Sequence, residues 1–155
     1  MAARSMMAGR MILVVDASVA VKFVTEEAGS DQAYEIVAGP DPLIAPDWLL
    51  VEVASAMWNK VKHSKLLETH AEDSFDNLPR FFAQLFPAKE LLKEAFQLSF
   101  RLHHPVYDCL YLALAQQEQA VLVTADKAFM RAIERTKLGA HARLLEWPQG
   151  GAVNI

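Results

Sequence analysis

The chain of 155 residues lacks several features that would define its class. Its only cysteine is Cys109, so no disulfide can form within the chain. No apolar run approaches the ~18 residues of a membrane helix, and no segment has the pattern of a cleaved signal. The formal charge is only −4, so nucleic acid could be attracted only by a local basic patch. We therefore expect a soluble protein of the reducing cytoplasm, without a membrane span.

The chain does contain enough apolar residues to build a core. Hydrophobic residues make up 53% of the chain, which suffices for one globular domain of this length. The first recognisable strand begins at Met11, and the last residues show no periodic pattern. We therefore predict a disordered N-terminal extension over residues 1–10, one domain over residues 11–147 and a loose C-terminal tail over residues 148–155.

Short apolar runs alternate with segments of helical periodicity. The two clearest runs, residues 11–15 and residues 120–124, have no polar alternation, which is typical of strands buried on both faces. Shorter strands are predicted at residues 43–45, 85–86 and 142–145. Helices are predicted at residues 18–25, 30–38, 47–63, 69–82 with a kink or break at Pro79, 89–103, 106–119 and around residue 130. This order predicts a three-layer α/β/α sandwich with a mostly parallel central sheet.

Four carboxylates stand in apolar surroundings rather than in polar loops. Asp16 and Asp126 follow the two clearest strands, whereas Glu52 and Asp108 lie between apolar neighbours in predicted helices. Buried ionised carboxylates are costly, and four at one sheet edge would repel one another without a cation. Oxygen clusters of this kind suit Mg²⁺ or Mn²⁺, and such ions promote hydrolysis of phosphodiesters. The joint pattern therefore indicates a metal-dependent hydrolase.

Each acid also has an ordinary structural explanation. Asp16 and Asp126 are suited to cap helices at strand-to-helix turns, although Ser18 is also a candidate cap for the first helix. Asp108 lies in a first helical turn, where the helix dipole favours a negative charge. Glu52 has the alternatives of facing water or pairing with a lysine.

Four segments together resemble the acidic motifs of the PIN-domain ribonucleases. They are VVDAS at residues 14–18, LVEVA at residues 50–54, VYDCLYLALA at residues 106–115 and VTAD at residues 123–126. The third is the most specific of them. More narrowly, the chain is similar to the VapC toxins of toxin–antitoxin pairs over residues 11–145.

The resemblance implies a metal-dependent endoribonuclease that is the toxin of a type II toxin–antitoxin system. It implies one or two Mg²⁺ or Mn²⁺ ions, bound by the residues that carry out catalysis, which are Asp16, Glu52, Asp108 and Asp126. Ser18 and Thr124 match the hydroxyls that orient these carboxylates, although helix capping and strand-end hydrogen bonds are equally open roles. The resemblance further implies a homodimer and a cognate antitoxin whose C-terminal segment approaches the acidic pocket.

The substrate of this reaction would be RNA, with attack by a metal-activated water that leaves 5′-phosphate and 3′-hydroxyl ends. The best local basic patch is formed by Lys60, Lys62 and Lys65 at the end of a predicted helix. This patch either contacts RNA phosphates or is simply the cationic C-terminus that the helix dipole favours. His103 and His104 are expected in an exposed loop, with contact to RNA as the alternative.

Two other functions remain open at this point. One is a catalytically inactive PIN-like module that only binds RNA or an antitoxin, although such a module has no need of four acids. The other is a phosphotransferase that forms an aspartyl phosphate on Asp16. The segment after Asp16 lacks the second aspartate of the dehalogenase-like enzymes, which argues against this alternative.

Overall fold

The computed structural model describes residues 6, 7 and 9–146. Five strands form one sheet in the order β5-β4-β3-β6-β7, and every neighbouring pair is parallel. The strands are β1 (Met6–Met7), β2 (Arg10–Met11), β3 (Leu13–Val15), β4 (Leu43–Pro46), β5 (Gln84–Phe86), β6 (Val121–Thr124) and β7 (Ala142–Leu144). Because β3 is central and covered on both faces, its three side chains are buried, as their unbroken apolar run predicts.

Helices connect the strands and cover the sheet. They are α1 (Ala17–Val24), α2 (Ser30–Ala38), α3 (Trp48–Lys62), α4 (Glu68–Asn77), α5 (Ala88–Leu102), α6 (Val106–Gln117) and α7 (Lys127–Glu134). From β3 the chain adds β4 and then β5 on one side, and after β5 it returns to add β6 and β7 on the other side of β3. Because such crossovers are right-handed, α1–α4 and α5–α7 lie on opposite faces of the sheet. The predicted α/β/α sandwich is therefore confirmed.

Two local predictions need correction or refinement. The first helix is capped by Asp16, whose carboxylate accepts a hydrogen bond from the Val19 amide, and Ser18 lies inside the helix. The reason is that the chain turns into α1 directly after β3. Helix α4 ends at Asn77 and gives way to a 3₁₀ turn at Leu78–Phe81, since Pro79 interrupts the α-helical hydrogen bonds.

The ends of the domain are described in part. Strand β1 pairs with β2 in an antiparallel ribbon, so residues 6, 7 and 10 of the segment expected to be disordered lie in strands. Residues 1–5 and 8 and the predicted tail at residues 148–155 lie outside the described residues, and the domain boundaries stay predictions. Across residues 6, 7 and 9–146, no helix is long and apolar enough to cross a bilayer.

Candidate active site

Two of the predicted acids meet at the carboxyl edge of the sheet. Asp16 follows β3 and Asp126 follows β6, and these strands are parallel neighbours with Val15 opposite Val123. Both acids cap the helix that follows, because the Asp126 carboxylate accepts from the Phe129 amide at 3.0 Å. Capping therefore fixes the two carboxylates at this edge. It does not prevent either carboxylate from also binding a cation.

The hydroxyl groups of Ser18 and Thr124 hold the Asp16 carboxylate in place. Ser18 donates to Asp16 Oδ1 at 2.5 Å, and Thr124 donates to Asp16 Oδ2. The same hydroxyls accept hydrogen bonds from the amides of Ala125, at 2.9 Å, and Asp126, at 3.1 Å. The orienting contacts expected of Ser18 and Thr124 are thus present, and they connect the ends of β3 and β6.

Glu52 reaches the site from α3 and contacts a residue to which the sequence analysis assigned no role. The buried Tyr111 hydroxyl donates to Glu52 Oε1 at 2.6 Å. Tyr111 lies three residues after Asp108 on α6, a spacing that places both side chains on neighbouring positions of one helix face. This spacing was the signal in the sequence that could have identified Tyr111.

His104 was expected in an exposed loop, and this prediction is wrong. Its Nε2 atom lies 2.7 Å from Asp108 Oδ2, and its ring stacks on Phe129 with centroids 4.7 Å apart. The side chain is largely buried by these contacts, whereas His103 is exposed as expected. The spacing of four residues between His104 and Asp108 was available in the sequence, but the stacking on α7 is a tertiary contact.

Burial raises the pKa of three of the acids. It raises the pKa of Asp16 to about 6 against the lowering effect of its hydrogen bonds from Ser18 and Thr124. Burial likewise raises the pKa of Glu52 to about 7, and the charges of Asp108 and Asp16 add to the effect.

The pKa of Asp108 is raised as well, first by burial and further by the charge of Asp126, although His104 opposes the shift. Asp108 therefore interacts electrostatically with the other three acids, Asp16, Glu52 and Asp126. We call these four carboxylates the acidic cluster; they are linked through the charge of Asp108, and a cation would relieve the repulsion that acts on Asp108.

The donor atoms of this cluster fit a divalent cation. One ligand atom from each of His104, Asp108 and Asp126 lies within 4.8 Å of the others. Carboxylate oxygens are the ligands that Mg²⁺ and Mn²⁺ prefer, and an imidazole nitrogen suits a transition metal better than Mg²⁺. Asp16 and Glu52, the other two ligands that the resemblance implied, are not part of this group, although their charges interact with that of Asp108.

The predicted basic patch is only partly free for a ligand. Lys60 Nζ lies 2.6 Å from Glu27 Oε2, so its charge is already paired. Lys62 and Lys65 are exposed, and Lys62 Nζ lies 5.1 Å from the centroid of the Trp58 ring. Phosphate contacts by Lys62 and Lys65 stay a prediction, and Lys60 is better assigned to the packing of α3 against the loop after α1.

Known proteins resemble this chain in sequence and in fold. The PIN domain model matches residues 13–134. Ribonuclease VapC3 of Pyrobaculum aerophilum is 34% identical over 119 residues, which are 76% of this chain and 91% of that protein. The crystal structure of PAE2754 from Pyrobaculum aerophilum has a TM-score of 0.64 at 20% sequence identity, and the match covers 87% of this chain and 85% of that chain. The structural likeness agrees with the predicted fold.

Proposed function

Because the chain belongs to the PIN-domain family and is of the VapC type, we propose that it is a metal-dependent endoribonuclease and the toxin of a type II toxin–antitoxin system. The observation that carries this proposal is that ligand atoms of His104, Asp108 and Asp126 lie within 4.8 Å of one another, while the charge of Asp108 helps to raise the pKa values of Asp16 and Glu52. Its partners would be RNA and a cognate antitoxin. Its compartment would be the reducing cytoplasm, in keeping with the buried free thiol of Cys109.

The cofactor in this proposal is Mg²⁺ or Mn²⁺, one or two ions held by the four acids. Asp108 and Asp126 offer two carboxylates within reach of one ion, and His104 is an additional candidate ligand that the sequence did not suggest. Such a cation supplies polarisation of the phosphate, a hydroxide nucleophile from water and stabilisation of the leaving oxygen.

The residues around the acids orient them for this task. Ser18 and Thr124 present the carboxylate of Asp16, while Tyr111 fixes one oxygen of Glu52 and leaves the other available. The His104 imidazole holds Asp108 Oδ2. Such hydrogen bonds typically stabilise the orientation of metal ligands and strengthen their basicity.

Two alternative functions receive less support. Both carboxylate oxygens of Asp16 accept hydroxyl hydrogen bonds and the residue is only 5% exposed, which makes it a poor nucleophile for an aspartyl phosphate. A module that only binds RNA or antitoxin would gain nothing from like charges beside Asp108, which oppose its ionisation.

The direct test is cleavage of total cellular RNA by the isolated chain. We expect cleavage with Mg²⁺ or Mn²⁺, none with EDTA, and recovery when the metal is restored in excess. Sequencing of the fragments should detect 5′-phosphate and 3′-hydroxyl ends. A preparation from cells with the empty vector controls for contaminating nucleases, and cleavage that persists in EDTA or leaves 5′-hydroxyl ends would refute the proposed mechanism.

We also propose that the protein is a homodimer, with α5 at the interface between the two copies. Leu92, Phe96 and Phe100 are exposed and recur every four residues, so they form one apolar stripe along α5. A stripe of this kind can pack against its own copy about a two-fold axis. Apolar surface of this extent is unusual on a face that stays in water.

Placing a charge in this stripe should dissociate the dimer. For Phe96→Lys we expect half the molar mass of the unmodified chain in light scattering coupled to size exclusion, since a lysine charge would be desolvated at the interface. Leu67→Lys changes an exposed leucine at the start of α4 and serves as the control. Equal masses for both variants and the unmodified chain would exclude this interface.

A further inference from the structure

We propose that Trp48 and Tyr107 stack on bases of single-stranded RNA beside the scissile phosphate and thereby position the substrate at the acidic cluster. This inference rests on the proposed ribonuclease function and names the residues that would hold its substrate. Neither residue belongs to the group of acids or to the side chains that orient them.

Trp48 lies on the site side of α3. It is the first residue of this helix, directly beyond the carboxyl end of β4, and it is 37% exposed. Glu52 follows four residues later, so Trp48 lies one turn from it on the same flank of the helix. Side chains of a helix lean toward its N-terminus, so the Glu52 side chain leans toward Trp48, and the indole leans toward the edge of the sheet where β4 ends.

Tyr107 has the corresponding position on α6. It immediately precedes Asp108, lies one turn before Tyr111 and is 49% exposed. Tyr111 in turn bonds to Glu52. Trp48 therefore lies one helical turn before Glu52, and Tyr107 lies one turn before Tyr111. Glu52 and Tyr111 are the two partners of one hydrogen bond.

The charge of the protein leaves room for a stacking contribution to RNA binding. The formal charge is −4 and the site itself is acidic, so the RNA backbone is attracted only by local basic groups. Lys60 is already paired with Glu27, which leaves the exposed Lys62 and Lys65 of the predicted patch. Stacking of bases on aromatic rings would add uncharged contacts to these.

A base is a better occupant for these rings than an apolar protein surface. Both Trp48 and Tyr107 adjoin carboxylates, and an apolar partner seated there would have to desolvate those charges. A nucleotide presents a phosphate toward the cation site and a flat base toward the rings. The apolar stripe of Leu92, Phe96 and Phe100 lies on α5 and is the surface assigned above to the second copy.

Steady-state kinetics of RNA cleavage test the inference. For Trp48→Leu and for Tyr107→Leu we expect KM to rise about tenfold, with kcat changed little, because stacking is lost in the bound substrate. Trp48→Phe and Tyr107→Phe should keep KM close to the unmodified value. Trp58→Leu is the matched control, since Trp58 is 62% exposed on the same helix but lies six residues beyond Glu52.

An abasic substrate separates stacking from indirect effects. An RNA with abasic sites flanking the cleavage position should raise KM for the unmodified enzyme and should not raise it further for a variant that carries both Trp48→Leu and Tyr107→Leu. If the abasic RNA instead raises KM equally in both proteins, or if KM is unchanged in both leucine variants, the inference is wrong while the proposed ribonuclease function stands.

Direct binding decides the inference even if the chain cleaves no RNA, an outcome that would overturn the proposed function. In a protein with Trp58→Phe and Trp147→Phe, Trp48 is the only tryptophan left, and we expect its fluorescence to be quenched by a short single-stranded RNA but not by the abasic oligonucleotide. Absence of quenching excludes stacking on Trp48. A lower molar mass for the Trp48→Leu or Tyr107→Leu variant would assign these rings to the contact between copies and would also overturn the inference.

Discussion

The Asp108→Asn variant should fold normally and lose RNA cleavage, with kcat lowered on the order of a thousandfold, the size of effect that follows loss of a key electrostatic group at an active site. Asp108 interacts with the charges of the other three acids and is one of the carboxylates close enough to share a cation with Asp126. Asparagine keeps the size of the side chain and an oxygen that can still face His104. The change therefore removes charge from the site with little effect on packing.

Initial rates of cleavage in Mg²⁺ and in Mn²⁺, together with thermal unfolding, measure this prediction. Asp76→Asn makes the same chemical change at an exposed position of α4 and should leave both the rate and the melting temperature unchanged. We expect Asp108→Asn to retain the dimer and the binding of the antitoxin. Unaltered cleavage by Asp108→Asn and also by Asp16→Asn would show that the acidic cluster takes no part in the reaction.

The metal-free protein should become less stable as the pH rises from about 4 to 7, which is opposite to the usual behaviour of paired carboxylates. The pKa of Asp16 is raised from 3.8 to about 6, and that of Glu52 from 4.5 to about 7. At a pH between the pKa of such an acid in the unfolded chain and its higher pKa in the folded protein, the acid has lost its proton in the unfolded chain but still holds it in the folded protein. The free energy of unfolding therefore falls with rising pH through this window, and the loss is complete above it.

Asp16 alone would account for a fall of up to about 3 kcal/mol, since a shift of one pKa unit corresponds to about 1.4 kcal/mol. Urea unfolding in EDTA at several pH values between 4 and 8 measures the effect. Asp16→Asn should flatten the profile, because asparagine does not titrate and still caps α1. Mg²⁺ or Mn²⁺ should restore stability at pH 8 by binding the ionised acids of the folded state.

A profile in which metal-free stability rises steadily from pH 4 to 7 would contradict the raised pKa values. The matched control is again Asp76→Asn, which should keep the slope of the unmodified protein. An unchanged slope in Asp16→Asn would show that the pH dependence arises elsewhere in the fold.

Much of the site followed from the order of strands along the chain. The runs that became β3 and β6 are unbroken by polar residues, and each is followed by an aspartate. In a parallel sheet all carboxyl ends lie at one edge, so the proximity of Asp16 and Asp126 could be predicted before their strands were known to be neighbours. Asp16 and Ser18 both stayed candidates for the cap of α1, because the sequence does not reveal how abruptly the chain leaves a strand.

The remaining features depended on contacts between distant segments. From the sequence alone, Tyr111 is expected to be a core residue. Its hydroxyl reaches Glu52 only because the fold brings these positions of α6 and α3 together. His104 reads as a loop residue, and its burial depends on Phe129 of α7. From the sequence alone, Lys60 is expected to be an unpaired positive charge, but in the fold the loop after α1 places Glu27 beside it.

The sequence by itself determined the α/β class, the mostly parallel sheet and the four candidate acids, because these depend on local apolar periodicity and on the residue that follows each strand. Only the tertiary structure decided how each acid is oriented, which hydroxyls and which imidazole contact it, and how far burial raises its pKa. Those properties arise from side chains that are remote in sequence. They exist only when the sheet brings its strand ends together and the helices cover them.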